Sequence, residues 1–322
     1  MKRKLFGIAT FLFVCAVAAY GKDNQDLRRS FTVNPGASIT LENLSGDITI
    51  TSWDGKQVEM TAAKTGNPDH FNNVEIYISA DASRLNIRTR YSNNRTNVSV
   101  RYDLKVPRDV VLDSVESVSG GIKIVGINGR VTARSTSGGI EIVGINGRVT
   151  ARSTSGRVHV SDITGFSTIN SVSGRVVAEN IKGDIVAESV SGDVRIGRVQ
   201  GSVQAKSVSG DVFINNNSPS ETDLAASAVS GAIRFDGRLN PTGQYEIKCY
   251  SGDVILNLPA DSNFVIYVST SSGSIKSDFD IKENRNIRKK GKSEIFDGVI
   301  GSGGPIVDLQ TFSGDILIRK TR

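Results

Sequence analysis

Apolar and polar residues alternate with a period of two over most of this chain. Between residues 116 and 216, apolar side chains recur two and four residues after each Ser-Gly pair, and mostly polar residues lie between them. A period of two predicts β-strands with one buried face. The first two inward columns are Ile122, Ile140, Val158, Val176, Val194 and Val212, and then Ile124, Ile142, Val160, Ala178, Ile196 and Ile214. The same spacing excludes amphipathic helices.

The Ser-Gly pair recurs at regular intervals and marks the corners of a repeat. The spacing is 18 residues as far as Gly210 and 21 residues from there to Gly273. Another Gly lies midway through each 18-residue unit, so each unit holds two strands and two corners. We predict a structural turn role for Gly120, Gly138, Gly156, Gly174, Gly192, Gly210, Gly231, Gly252, Gly273 and Gly314.

One unit is present in two almost identical copies. Residues 121–138 and 139–156 differ only in that Lys123 is replaced by Glu141. A fold accepts such a copy when each unit contacts mainly its neighbours, as in a solenoid. The two substituted residues occupy an outward column, so we expect opposite charges on adjacent coils.

These patterns predict an all-β fold, namely a single-stranded parallel β-solenoid with two sheets, about 18–21 residues per coil and a β-rich N-terminal cap. The predicted division is a signal peptide at 1–21, the cap and lead-in at 22–115, the solenoid at 116–279, a basic and Gly-rich loop at 280–304, and closing β-strands at 305–322.

A column of serines follows the inward apolar residues of each unit. It contains Ser135, Ser153, Ser171, Ser189 and Ser207. A short hydroxyl side chain at a tight corner can bond to nearby backbone. We therefore expect this column to stabilise the corners.

The N-terminus has the features of an export signal. Lys2, Arg3 and Lys4 precede an apolar run, and a small-x-small cleavage motif ends at Gly21. The run is too short for a transmembrane span. Cys15 lies in the signal and leaves lipidation open. We expect a mature chain in the periplasm, at the cell surface or outside the cell.

Charge and cysteine content narrow the possible partners. The signal carries three of the 39 Lys and Arg residues, so the mature chain has 36 against 33 Asp and Glu. This balance does not favour nucleic acid as a partner. Cys249 is the one cysteine left after cleavage, so no intramolecular disulfide can form. Its alternating context predicts a small core-side residue.

The sequence offers few candidates for catalysis. Asp193 and Asp211 should lie one coil apart, at a distance of about 5 Å that suits a retaining glycosidase. An Asp before a strand is, however, a common turn residue, and Arg175 would compensate the charge. One Asp per turn supplies too few oxygens for calcium, and His70 and His159 lie in different regions. We assign no catalytic residue, metal or cofactor.

A possible anionic-ligand patch comes from the duplicated unit. Arg130 and Arg148 should stack on each other, as should Arg134 and Arg152 four residues further on. The alternative is that duplication copied ordinary solvated arginines. The basic residues of the loop, from Lys282 to Lys292, have the same two interpretations.

Several motifs resemble a bacterial putative-adhesin family, an exported β-solenoid domain of unknown function. The resemblance rests on Ser45-Gly46-Asp47-Ile48, on Trp53-Asp54-Gly55, on the Ser-x-Ser-Gly-Asp-Val repeats and on Phe312-Ser313-Gly314-Asp315-Ile316. It implies a secreted, non-enzymatic envelope or surface protein. It supplies no catalytic residues.

The leading hypothesis is therefore an adhesin-like or structural repeat protein that binds envelope glycan or a surface protein. A polysaccharide-acting β-helix enzyme and a self-associating envelope scaffold remain as alternatives.

Overall fold

The structure is a computed structural model that describes residues 26–92, 97–216, 223–283 and 294–321. The predicted signal at 1–21, with Cys15, lies outside these residues. So do residues 284–293 of the predicted basic loop at 280–304, with five of its six basic residues, although Lys282 is described.

About two thirds of the described residues, or 67%, belong to β-strands, as the alternation predicts. The N-terminal elements are β1 (Asp26–Thr32), β2 (Ser38–Asn43), β3 (Ile48–Trp53), β4 (Gln57–Gly66), a 3₁₀ helix (Pro68–Asn73), β5 (Val74–Ala80), β6 (Arg84–Tyr91), β7 (Val98–Pro107) and β8 (Val111–Ser117). The central strands are β9 (Ile122–Val125), β10 (Val131–Ser135), β11 (Ile140–Asn146), β12 (Val149–Ser153), β13 (Val158–Thr164), β14 (Ser167–Ser171), β15 (Val176–Lys182), β16 (Ile185–Ser189), β17 (Val194–Gln200), β18 (Val203–Ser207) and β19 (Val212–Asn216). The C-terminal strands are β20 (Leu224–Ser230), β21 (Ile233–Gly237), β22 (Gln244–Ser251), β23 (Val254–Pro259), β24 (Phe264–Ser272), β25 (Ile275–Ser277), β26 (Ile281–Glu283), β27 (Glu294–Ile300), β28 (Ile306–Ser313) and β29 (Ile316–Thr321).

From β7 to β26, successive strands alternate between two sheets, which we call sheet A and sheet B. Sheet A has the order β1-β4-β7-β3-β9-β11-β13-β15-β17-β19-β21-β23-β29-β25, and sheet B has the order β26-β27-β24-β28-β22-β20-β18-β16-β14-β12-β10-β8-β2-β6-β5. Each coil, or rung, therefore contributes one strand to each sheet. The central strands are parallel and in register, so that Ala133 lies beside Ala151 and Ser135 beside Ser153. The predicted two-sheet parallel β-solenoid is confirmed.

The core lies between the two sheets and runs the length of the stack. The two inward columns predicted for sheet A are at most 3% exposed. On the outer face of sheet A, the Lys123 ammonium lies 3.0 Å from the Glu141 carboxylate, so the one difference between the duplicated units forms an ion pair across two rungs. The pair is about half exposed, so it contributes little to stability.

At both ends, the order of rungs in space differs from their order in the chain. The β2/β3 rung lies between β6/β7 and β8/β9, and the β28/β29 rung lies between β22/β23 and β24/β25. The last Ser-Gly marker, at Gly314, is therefore inside the stack. Antiparallel strands β1, β4 and β5 cover the N-terminal end, and β26 and β27 cover sheet B at the C-terminal end. Such strands limit edge-to-edge pairing of the parallel coils.

On the rungs from Ser135 to Ser207, a hydroxyl ladder ties each corner to the corner before it. The Ser171 hydroxyl accepts a hydrogen bond from the Gly174 N–H at 2.9 Å and donates one to the Gly156 carbonyl of the preceding rung, also at 2.9 Å. The same pair of bonds recurs at Ser135, Ser153, Ser189 and Ser207. All five serines are buried. The ladder therefore satisfies corner backbone groups that water does not reach.

The marker glycines form one continuous column, because each lies against the carbonyl of the glycine in the adjacent rung. In space the order is Gly46, Gly120, Gly138, Gly156, Gly174, Gly192, Gly210, Gly231, Gly252, Gly314 and Gly273. A Cβ added at Gly174 would lie 2.0 Å from the Gly156 carbonyl oxygen. No side chain larger than hydrogen fits at that distance.

We predict that Gly174→Ala lowers the free energy of unfolding by about 1–3 kcal/mol or more, because the new methyl group overlaps backbone that cannot move without breaking the stack. Urea denaturation followed by circular dichroism measures the loss. The matched control is Gly197→Ala, whose Cβ would meet its nearest neighbouring atom, the Asn215 carbonyl oxygen, at 3.8 Å. Equal stability of the two variants would contradict the role of the glycine column.

Candidate functional site

The two carboxylates that the sequence offers as candidates for catalysis, Asp193 and Asp211, are held by hydrogen bonds and ion pairs of the repeat. The Asp193 carboxylate lies 3.3 Å from the Arg175 guanidinium and 3.4 Å from that of Arg195. The Asp211 carboxylate accepts a hydrogen bond at 2.8 Å from the backbone N–H of Ala232 in the next rung. Both carboxylates therefore have partners within the scaffold.

Aspartates at other Ser-Gly-Asp corners also accept hydrogen bonds from an adjacent rung. Asp47 accepts from the Gly121 N–H at 2.8 Å. Asp315 accepts from the N–H of Ser274 at 2.8 Å and from its hydroxyl at 3.0 Å, and these bonds lower the pKa of the Asp315 carboxyl. The aspartates of this motif thus cap a peptide N–H that the next rung leaves without a strand partner.

Cys249 occupies the position of the ladder serines on its own rung. Its thiol lies 3.2 Å from the Gly231 carbonyl oxygen, toward which it donates, and the residue is buried. Burial raises the pKa of the Cys249 thiol, which disfavours the reactive thiolate. Across the described ranges, no group of three or more His, Cys, Asp or Glu side chains is arranged to hold a metal ion.

The four arginines of the possible anionic-ligand patch separate into two pairs. Arg134 lies beside Arg152 on strands β10 and β12. Arg130 and Arg148 precede those strands, about 13 Å away along the strand direction. Three of the four have partners, because Arg130 pairs with Asp113, Arg134 lies 3.0 Å from Glu116, and Arg148 lies 5.2 Å from the centre of the Phe166 ring. The structure does not bring the four together.

Arg134 and Arg152 line an open groove on the outer face of sheet B, with a volume of about 760 Å³. We call it the sheet B groove. One wall is a polar column that contains Glu42, Glu116, Arg134, Arg152, Asn170, Glu188 and Lys206. The other wall, two residues further along each strand, contains Leu44, Val118, Thr136, Thr154, Val172, Val190 and Val208. The buried ladder serines lie between the walls.

The side chains that line the sheet B groove carry no net charge, because three of them are acidic and three are basic. Glu42 lies 2.6 Å from Arg88, and Asn170 donates to Glu188 at 3.0 Å. Among the described residues, the Arg152 side chain has neither an ion pair nor a hydrogen bond to protein, so its guanidinium is available to a ligand. The balance favours a neutral or zwitterionic ligand over a polyanion.

Asn43 occupies the column of the ladder serines at the N-terminal end of the sheet B groove. It is 5% exposed, and its amide N–H group donates to the Val100 carbonyl at 2.7 Å and to the Gly46 carbonyl at 2.9 Å. These bonds fix the amide orientation, and among the described residues nothing donates to the Asn43 side-chain oxygen. Because this oxygen is itself shielded from solvent, a ligand in the open groove does not reach it in this conformation.

The apolar wall of the sheet B groove was not among the sites predicted from the sequence. Its residues alternate with the ladder serines, so the strand pattern already placed them outward, where apolar side chains are unexpected. Leu44, Val172 and Val190 are more than two-fifths exposed. Beyond the groove the row continues through Val229 to the exposed rings of Tyr250 and Phe312. An exposed apolar row of this length is typical of a binding surface.

Comparison with known proteins gives one family match. The model of the family described as Toastrack DUF4097 matches residues 36–223 and 217–319. A search of the curated proteins found no match. In the described part of this chain, no helix has both the length and the apolar character needed to cross a membrane.

Three solved structures illustrate the similarity. A putative adhesin from Bacteroides fragilis NCTC 9343 is 13% identical, with a TM-score of 0.36 and coverage of 91% of this chain and 96% of that one. A putative lipid binding protein from Parabacteroides distasonis ATCC 8503 is 14% identical, with a TM-score of 0.34 and coverage of 92% and 97%. A putative adhesin from the same strain is 12% identical, with a TM-score of 0.31 and coverage of 92% and 98%.

We predict that Cys249 in the mature chain reacts with iodoacetamide at mildly alkaline pH roughly tenfold or more slowly than in the denatured chain, because burial raises its pKa and blocks access. Mass spectrometry of the alkylated protein measures the two rates. A native rate equal to the denatured rate would show that the thiol is accessible and reactive.

Proposed function

The chain belongs to the Toastrack DUF4097 family, and on that premise we propose that it is an exported, non-enzymatic β-solenoid protein of the cell envelope or cell surface that binds an extended envelope glycan along the sheet B groove. The family match confirms the resemblance to the putative-adhesin family seen in the sequence. The proposal itself rests on the surface chemistry of the stack.

The observation that carries the proposal is the pair of parallel side-chain columns along the sheet B groove. Backbone groups of the central rungs are already bonded to the rungs on either side, so a ligand on this face meets mainly side chains. A peptide strand therefore finds no free edge to extend here. A glycan needs no such edge, because its hydroxyls bond to polar side chains and its C–H faces pack on apolar ones.

The spacing of the columns suits a polymer. Adjacent rungs repeat at about 4.8 Å, so equivalent side chains recur along the stack at that interval. Arg152 supplies an unpaired donor within the groove, and Asn170 and Glu188 of the polar column follow on the next two rungs. A chain of sugar residues that runs along the groove would contact successive members of both walls.

The N-terminal sequence supports the proposal of export. The charged start, the apolar run and the small-x-small motif at 1–21 are typical of a cleaved signal. The mature chain would then act in the periplasm, at the surface or outside the cell.

The two alternatives have less support. For a polysaccharide-acting enzyme, Asp193 and Asp211 would have to leave their scaffold partners. For an end-to-end scaffold, the antiparallel strands β1, β4 and β5 would have to leave the N-terminal end of the stack.

We predict that Arg152→Ala weakens glycan binding roughly tenfold, because a charge-assisted hydrogen bond contributes about 1.5–3 kcal/mol. Affinity electrophoresis of the mature chain, in native gels that contain solubilised peptidoglycan strands, O-polysaccharide or capsular polysaccharide, measures the change. The matched control is Arg148→Ala on the same rung, which lies outside the groove and should leave mobility unchanged.

If none of the three glycans retards the unaltered mature chain, the proposed function is wrong. If Arg148→Ala and Arg152→Ala weaken binding equally, the glycan lies elsewhere on the molecule.

A further inference from the structure

Two exposed aromatic rings are stacked on each other where the apolar row reaches the C-terminal rungs. The ring centres of Tyr250 and Phe312 are 5.0 Å apart, and the ring planes differ by 4°. The two residues are 58% and 53% exposed. Aromatic residues make up only 6% of the chain, so such a pair on an open surface is unusual for this molecule.

The pair extends the apolar wall of the sheet B groove. Val208 belongs to the groove, and Val229, Tyr250 and Phe312 follow it on the next rungs in space. A ligand that runs along the groove toward the C-terminal end therefore reaches the rings.

The stack of rings ends at Phe312 because the next rung has no ring at that position. Strand β24 follows β28 in sheet B, with Thr270 beside Thr311 and Ser272 beside Ser313. Ser271 therefore stands opposite Phe312. The near-parallel rings are separated by close to the rung spacing of about 4.8 Å, so the next position in the stack of rings falls at Ser271. We call this position, where a small serine stands in place of a third ring, the slot.

Polar side chains surround the slot. Lys248 and Gln310 lie two residues before the rings, in the polar column that continues from the groove. The Gln310 amide donates to the Asp308 carboxylate at 2.9 Å, which holds its side chain on this face. Ser272 is exposed on the side of the slot that faces the corner. A flat apolar platform beside amide, ammonium and hydroxyl groups matches the two kinds of surface on a sugar ring.

We propose that the open face of Phe312 is a stacking subsite for a pyranose ring, and that Tyr250 supports Phe312 from behind. The inference rests on the proposed function, because it assigns this ring to the glycan that lies along the sheet B groove. The C–H face of the sugar packs on the aromatic face, while its hydroxyls remain at the rim with Gln310 and Lys248. The subsite thus favours glycans over polymers without flat, partly apolar units.

Two variants test the subsite, one by removing the aromatic platform and one by filling the slot. Phe312→Ala removes the platform and should weaken binding of the retarding glycan roughly three- to tenfold, the equivalent of about 0.5–1.5 kcal/mol of aromatic stacking. Ser271→Phe places a third ring in the slot, so it should weaken binding by a similar factor while the protein stays folded. Phe166→Ala, at a partly exposed phenylalanine outside the groove lining, is the matched control.

Affinity electrophoresis with peptidoglycan strands, O-polysaccharide and capsular polysaccharide provides the readout, and thermal unfolding confirms that each variant is folded. Weaker binding by both variants, with Phe166→Ala unchanged, supports the subsite. If the unaltered chain binds a glycan, Arg152→Ala weakens it, and both ring variants bind normally, the subsite is wrong while the proposed function stands. If the unaltered chain binds none of the three, both are wrong.

Discussion

The bond from each ladder serine to the glycine carbonyl of the preceding rung is the constraint on which the rest of this structure depends. The serine hydroxyl also accepts from the glycine N–H of its own corner, so one buried oxygen joins two rungs. The glycines must then stack in direct contact, which fixes the register of both strands that leave the corner. Fixed register in turn aligns every inward residue with its equivalent and builds the core from columns of Val, Ile and Ala.

The same register also organises the surface. Outward residues form columns as strictly as inward ones, so a change repeated on several rungs becomes a continuous strip of one chemical character. The sheet B groove is the space between two such strips, one polar and one apolar. Duplication of one unit lengthens both strips by one rung without disturbing the others. The ligand that such a surface can bind is therefore determined by whole columns of side chains. A single residue such as Arg152 contributes to ligand binding where its neighbours in the column leave it without a partner.

Sequence alone predicted the interior well, because a period of two, stacked serines and corner glycines leave few other folds. It could not predict the order of rungs at the ends. The Ser-Gly-Asp motif at Gly314 could stack on any other copy of that motif. In the structure its strands β28 and β29 pair with β22 and β23, which places Gly314 inside the stack. It also missed the left-handed backbone at Asp162, Asn180 and Arg198, with φ of 52–56°. Gly126 and Gly144 precede them in the same column and were the available signal. Arg130 and Arg148 lie about 13 Å from Arg134 and Arg152 along the strand direction, because each strand residue advances about 3.3 Å.

The most direct test of this account is removal of one duplicated unit, residues 139–156. If rungs are independent modules joined by the serine ladder, the shortened mature chain folds cooperatively, and its crystal structure is one rung, or about 4.8 Å, shorter. In it the Ser171 hydroxyl donates to the Gly138 carbonyl in place of Gly156. An unfolded or aggregated product, or a structure in which the flanking rungs lose register, would contradict the account.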